Sequence, residues 1–219
     1  MTKQEKVADP ERSRRVKEII KRLRKVYPHP KTALTFTTPL ELLVATILSA
    51  QATDKVVNTI TPELFKKYTS AKDFANASVE DIDMMIRKVN FHNNKAKSIQ
   101  AAAKIIVEKH GGKVPDNMED LDALPGVARK TANVVMSGAF GKAEGIVVDT
   151  HVMRLATKLG LTDKKDPEKI EQDLMQIVPK EDWKDFPHLL ILHGREICTA
   201  RPHTCENCPL GDLCPDKKA

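Results

Sequence analysis

The sequence is poor in aromatic residues and has no long hydrophobic run. Aromatic side chains make up 4% of the chain, and the longest nearly apolar stretch is Leu42 to Ala50. That stretch is far short of the roughly 20 residues that a membrane-spanning helix needs. The segment Met1 to Lys6 carries charge with no apolar stretch behind it, so no secretory signal is expected. No membrane span is expected either, and the cytoplasm is the expected compartment.

Strand patterns are also nearly absent. Aliphatic residues and methionine recur at three- and four-residue intervals, which predicts an all-α fold. The first helix should bury the stripe Val16, Ile19, Ile20, Leu23 and Val26. A last long helix is expected over residues 181–197.

Cap signals mark where the helices should begin. An Asp, Ser, Thr or Asn side chain can accept first-turn N–H groups, and proline is favoured directly after such a cap. The predicted caps are Asp9, Thr38, Ser70, Ser78, Asp149 and Asp166, with Asn93 or Asn94 before a helix that runs to His110. Glu41 lies three residues after Thr38, so this pair predicts a capping box.

Positive charge is concentrated at the start of the chain. The formal net charge is +6, and all of this excess falls within the first 25 residues. A basic segment can neutralise nucleic-acid phosphates. A solvated helix face has the same composition, so charge alone does not identify a nucleic-acid-binding protein.

All four cysteines lie close together near the C-terminus. Cys198, Cys205, Cys208 and Cys214 have the spacing C-x6-C-x2-C-x5-C. In a reducing compartment such clustering favours a metal site over disulfides. With a single C-x2-C pair, one short loop must wrap around one object, which favours an iron–sulfur cluster. Structural zinc remains open, with His203 as a substitute ligand.

A tight turn joins two predicted helices at Leu124 to Ala128. Gly126 is expected to supply a positive φ. The N–H groups at the start of the next helix would then form a site for a phosphate. On that helix Lys130, Asn133 and Ser137 are expected to share a polar face, so that Lys130 faces a cleft or water.

Lys130 and Asp149 are candidate catalytic residues. An attacking amine must be neutral, and both the helix N-terminus and the neighbouring Arg129 provide the positive potential that favours the neutral form. An ordinary surface lysine is the alternative. Asp149 follows an apolar stretch and begins a helix, so it is either only an N-cap or a cap whose second oxygen takes part in catalysis.

Four segments, in this order along the chain, resemble the endonuclease III family of helix-hairpin-helix DNA glycosylases. They are LSAQATD at 48–54, LPGVARKTAN at 124–133, VDTH at 148–151 and the cysteine tail. The resemblance spans residues 15–215. It implies an all-α protein of two lobes: a six-helix barrel domain over 33–143, and an iron–sulfur domain formed by 1–32 and 144–219. It also implies a [4Fe-4S] cluster on the four cysteines and DNA across the cleft between the lobes.

The family activity implied is that of a bifunctional DNA glycosylase and AP lyase in base excision repair. Lys130 would attack C1′ of an oxidised pyrimidine nucleotide and form a Schiff base, and β-elimination would then cut the strand 3′ to the lesion. Asp149 would stay ionised, helping to deprotonate the lysine and stabilising positive charge on the sugar. The implied partner is double-stranded DNA with an oxidised pyrimidine or an abasic site, bound by a monomer.

The resemblance also implies the DNA contacts. Gln51 would fill the gap left by the extruded nucleotide, and the loop with Phe91 and His92 would form a wedge on the opposite side. The hairpin residues Gly126, Val127, Ala128 and Arg129 would bind backbone phosphates. Two residues depart from the family pattern. Phe91 replaces an aliphatic wedge, which puts the opposite-base preference in doubt, and Ala128 replaces a glycine, which predicts a modest effect on affinity.

Two other functions compete with this interpretation. A mismatch adenine glycosylase has a similar cluster, but it lacks the hairpin lysine and is longer. A non-catalytic DNA-binding or iron–sulfur sensor protein would use the hairpin and the tail without chemistry. Trapping of a covalent adduct through Lys130 discriminates between these and a bifunctional enzyme.

Overall fold

The structure is a computed structural model that describes residues 9–201 and 205–217. Across these residues the secondary structure is helical, with no strand, as the sequence predicts. The α-helices are α1 (Pro10–Val26), α2 (Pro39–Ser49), α3 (Asp54–Lys67), α4 (Ala71–Asn76), α5 (Val79–Ile86), α6 (His92–His110), α7 (Met118–Asp122), α8 (Arg129–Ala139), α9 (Thr150–Lys158), α10 (Pro167–Ile177) and α11 (Phe186–Glu196). A 3₁₀ turn, Lys180–Asp182, precedes α11. No described helix combines the length and the apolar character that a membrane span requires.

The chain divides into two compact units. One is Thr32–Glu144 and contains α2 to α8, and the other combines the residues before Thr32 with those from Gly145 onward. The first unit has its own core, centred on α2, in which every residue from Leu42 to Leu48 is buried. The second has a separate core between α1, α9, α10 and α11.

Most of the predicted caps are confirmed. Asp9, Thr38, Ser78, Asp149 and Asp166 each accept a first-turn N–H, and Ser70 forms a full capping box with Asp73. The box predicted at Thr38 is wrong in one detail. The Glu41 carboxylate accepts from the backbone N–H and the hydroxyl of Thr37, not from Thr38.

Three predictions about the helices need correction, and one helix was not predicted. The α6 helix begins at His92, one residue before the first predicted cap, and no side chain caps it. The last helix begins only at Phe186, because Pro187 lacks an N–H and fits only the first turn. The sequence patterns do not predict α3, which contains Pro62. Val26, expected in the buried stripe, is 45% exposed, since it is the last residue of α1.

Candidate functional site

The tight turn before α8 depends on Gly126. Its φ is +77°, and a Cβ placed there would lie 2.6 Å from the Ser98 Cβ. The turn closes through a hydrogen bond from the Val127 N–H to the Leu124 carbonyl, 3.1 Å, and both of these side chains are buried. The position therefore requires a left-handed backbone and close packing against α6. Gly126 meets both requirements, and a residue with a Cβ would meet neither.

The hairpin presents the first turn of α8 without a side-chain cap. Ala128 occupies the N-cap position with φ −99°, which any residue adopts, and it makes no cap hydrogen bond. The Ala128 methyl group therefore introduces no backbone strain. An N-terminus whose N–H groups serve no cap side chain is suited to bind an anion. Arg129 and Lys130, the first two residues of α8, are exposed beside it.

The predicted polar face of α8 is only partly correct. Lys130 is exposed, but Asn133 and Ser137 are 3% and 5% exposed. The Ser137 hydroxyl donates to the Asn133 carbonyl over 2.7 Å, which satisfies it inside the helix. Ser137 is thus buried with its hydroxyl group satisfied, whereas the long Lys130 side chain lies on the exposed part of α8.

Asp149 begins α9 as predicted. It is half-buried, and its Oδ1 accepts the Val152 N–H over 2.8 Å. Within the described residues this is the one hydrogen bond recorded for the carboxylate, so the cap does not occupy Oδ2. The apolar residues before it, Ile146 and Val148, are buried and fix where the helix starts.

Gln51 and Phe91 share an unusual backbone conformation. In the described part of the chain they are the non-glycine residues with positive φ, at +54° and +57°. Both side chains are exposed, Phe91 to 59%. For a residue with a Cβ, the left-handed region of φ and ψ costs about 1–2 kcal/mol. Such backbone strain is concentrated at functional sites. No signal in the sequence indicates it.

Contacts between loops hold these two residues. The Asn90 side-chain amide donates to the Gln51 carbonyl over 3.0 Å. His92 follows Phe91 directly, and its Nδ1 lies 2.6 Å from Oδ1 of the Asp83 carboxylate. Neither contact follows the spacing of three or four residues that a helix produces, so the sequence analysis did not find them.

The four cysteines line one pocket in the second unit. All are free thiols of intermediate burial, and Leu155, Leu159, Ile197 and Leu210 form apolar walls around them. The Cys198 N–H donates to the His193 carbonyl at the end of α11, 2.8 Å. His203 lies outside the described residues. The pocket thus collects all four thiols that the spacing singled out.

The thiols of this pocket are suited to hold a positively charged group. Burial raises the pKa of the Cys208 thiol, and negative charge on the other three cysteines raises it further. Ionised thiols here therefore need a countercharge. In the described segments no three His, Cys, Asp or Glu side chains converge closely enough to hold one metal ion.

Side chains from α1 and α9 hold the cysteine loop, of which the structure describes residues 198–201 and 205–214. Arg22 donates to the Pro209 carbonyl over 3.1 Å and to Asp212 Oδ2 over 2.9 Å. Arg154 donates to the Cys198 carbonyl over 2.6 Å. The loop is therefore anchored by side chains that come from far earlier in the sequence.

Comparison with known proteins identifies the family. Residues 44–180 match the family model of the HhH-GPD superfamily base excision DNA repair protein. The chain is 49% identical to endonuclease III of Synechocystis over 95% of both chains. It is 43% identical to endonuclease III of Escherichia coli strain K12, over 92% of this chain and 95% of the other.

Solved structures agree with these relatives. A trapped covalent intermediate of endonuclease III with DNA, an estranged-adenine complex, matches with a TM-score of 0.87 at 38% identity, covering 93% of this chain and 96% of the other. A non-covalent endonuclease III–DNA complex matches with the same score and identity, covering 93% and 95%. The chain therefore belongs to the endonuclease III family of HhH-GPD DNA glycosylases with AP lyase activity, which act in base excision repair.

Proposed function

We propose that Lys130 is the nucleophile of a bifunctional glycosylase and AP lyase that acts on oxidised pyrimidines. The observation that carries this proposal is the Gly126 turn, which presents the uncapped start of α8 with Lys130 exposed in its first turn. Such a turn can bind a phosphate through its N–H groups, and Gly126, Val127, Ala128 and Arg129 are proposed to do so. The lysine would then lie close to the bound sugar–phosphate backbone.

In the proposed reaction the neutral Nζ of Lys130 attacks C1′ of the damaged nucleotide. The N-glycosidic bond breaks, and the base leaves with its bonding electrons and takes up a proton. The C1′–O4′ bond then opens, O4′ takes up a proton given up by the amine, and C1′ and Nζ become joined as a Schiff base. The imine makes the 2′ hydrogen acidic. Loss of that proton expels the 3′ phosphate, which breaks the strand, and water then releases Lys130.

Asp149 is proposed to act by charge. Its carboxylate assists deprotonation of Lys130 and stabilises the positive charge that develops on the sugar. The free Oδ2 supports this role, because the cap hydrogen bond occupies only Oδ1. The carboxylate can therefore hold α9 in place and act on the substrate at once.

Gln51, Phe91 and His92 are proposed to contact the duplex. The damaged nucleotide must leave the base stack before the amine can reach it, at a cost of a few kcal/mol. Gln51 fills the vacated space, and Phe91 separates the opposite strand at that position. The exposure of both side chains and the positive φ of both residues support this, since backbone strain of this kind is concentrated at functional sites.

We propose that Cys198, Cys205, Cys208 and Cys214 hold a [4Fe-4S] cluster. The cluster would supply a rigid cross-link between the end of α11 and the loop that follows it. The chain would act as a monomer on DNA in the cytoplasm, near the nucleoid. No step of base removal is assigned to the cluster.

The test is borohydride trapping. The wild type, mixed with a duplex containing thymine glycol and then reduced, should give a covalent adduct that mass spectrometry locates on Lys130. Lys130→Gln should abolish both the adduct and strand cleavage while retaining iron and most of the DNA affinity. The matched control is Lys104→Gln, because Lys104 is an exposed lysine of α6. An adduct on another residue, or normal cleavage by Lys130→Gln, would contradict the proposal.

A further inference from the structure

Lys95 is a buried lysine in the first turns of α6. It is 7% exposed, and its ammonium group donates to the Leu48 carbonyl over 2.8 Å and to the Ala50 carbonyl over 2.6 Å. These carbonyls lie at the end of α2, where backbone oxygens lack partners within the helix. Lys95 therefore links the start of α6 to the end of α2.

Among the residues that the structure describes, no ion pair accounts for this placement. Burial lowers the pKa of Lys95, and among the described residues no carboxylate acts against that effect. Burying an ammonium group costs free energy unless its donors are used. The two carbonyl contacts are thus the recorded interactions that hold the charged form in place.

These contacts, with one from Asn90, fix the backbone on both sides of Gln51. The Ala50 carbonyl belongs to the peptide group before Gln51, and Lys95 holds it. The Gln51 carbonyl belongs to the peptide group after it, and Asn90 holds that one. Restraining both peptide planes restrains φ and ψ of Gln51. Without these contacts Gln51, as a residue with a Cβ, would disfavour the left-handed conformation that it adopts.

We propose that Lys95 is a positioning residue that holds Gln51 ready to enter the duplex and ties it to the loop of Phe91. Lys95 and Asn90 lie on either side of Phe91 in sequence, and both bind the segment around Gln51. The segment around Gln51 and the loop of Phe91 are therefore joined by hydrogen bonds. This inference rests on the proposed roles of Gln51 and Phe91.

The test compares two substrates under single-turnover conditions. Removal of damaged base from a thymine-glycol duplex requires a gap to be filled, whereas cleavage at a preformed abasic site in a single strand does not. Lys95→Met removes the ammonium at similar volume, and we expect it to slow duplex excision about tenfold or more, the effect of losing a charged hydrogen bond. Single-strand cleavage should stay within about twofold of the wild-type rate. Lys104→Met, exposed on the same helix, is the matched control.

Two further measurements separate positioning from a general structural role. In a Gln51→Ala background, Lys95→Met should slow duplex excision by less than about twofold more, because both changes remove the same contribution. The Ala52 N–H, which donates to the Ser49 carbonyl, should exchange with deuterium faster in Lys95→Met than in Lys104→Met.

The proposal is overturned if Lys95→Met stays folded and loses both activities equally, or keeps full duplex excision. Independent, multiplicative effects with Gln51→Ala would overturn it as well. If Lys95→Met does not fold, Asn90→Ala replaces it, because Asn90 is exposed. Asn90→Ala should likewise slow duplex excision and leave single-strand cleavage unchanged. An unchanged rate of duplex excision in Asn90→Ala would overturn the proposal. A wild type that cleaves neither substrate would count against the proposed function, whereas the exchange of Ala52 would still test the contact of Lys95.

Discussion

Gly126 packs so closely against Ser98 that a single added methyl group would lie 2.6 Å from the Ser98 Cβ. Gly126 also has φ +77°. The hairpin that carries the proposed nucleophile thus depends on a contact between α6 and the turn before α8. Any residue with a Cβ at position 126 must push these two elements apart.

We expect Gly126→Ala to destabilise the protein by more than the cost of a left-handed alanine, which is about 1–2 kcal/mol. Gly141→Ala is the matched control, because Gly141 has φ +68° and nothing within 4 Å of its added Cβ. The free energy of unfolding, from urea titration, measures both variants. Equal losses would show that the Ser98 contact carries no cost.

Two substitutions of Asp149 should separate its cap from its charge. Asn can still accept the Val152 N–H, so Asp149→Asn should keep the wild-type unfolding midpoint, whereas Asp149→Ala should lose about 1 kcal/mol. Both should slow base release about a hundredfold or more, since the stabilising charge is gone. The rates come from single-turnover excision assays. An active Asp149→Asn would show that Asp149 is only a cap.

Iron and sulfide content will test the cluster proposed for the cysteine pocket. We expect about four iron ions per purified chain. Cys208→Ser should lose the iron and lower the thermal midpoint, because the loop has little apolar surface to hold it otherwise. Thr199→Ser, next to Cys198, is the control and should keep both. Stoichiometric zinc in the wild type, purified anaerobically, would contradict the cluster.

His188 should make the protein less stable in mild acid. Burial lowers the pKa of His188 below its ordinary value of 6.5, and the positive charges of Lys184 and Arg195 act in the same direction. Together they outweigh the carboxylates of Asp185 and Asp149, which raise the pKa. Between the lowered pKa and 6.5 the unfolded chain binds more protons than the folded one. The free energy of unfolding therefore falls as the pH drops below about 6.5.

The measurement is the thermal midpoint of wild type and His188→Gln between about pH 7.5 and pH 5.5. The wild type should lose more stability over this interval than the variant, in which the group that titrates is missing. Identical slopes for the two proteins would show that His188 does not titrate differently in the folded state.

Local features of the fold were predictable from the sequence because their partners are three or four residues apart. Asp9, Ser70 and Asp166 cap their helices as expected. The start of α6 was not predictable in this way. Asn90 donates to the distant Gln51 carbonyl, and Phe91 takes a left-handed conformation, so the helix begins at His92 without a cap.

The sequence by itself determined the helical class, the family and the identity of Lys130, Asp149 and the four cysteines as candidates, because these follow from periodicity, spacing and motif. Only the tertiary structure decided which polar residues of α8 are buried, how Arg22 and Arg154 hold the cysteine loop, and that Lys95 binds the Ala50 carbonyl beside Gln51. Each of these depends on packing or hydrogen bonds between segments distant in sequence. Such contacts leave no periodic pattern in the chain.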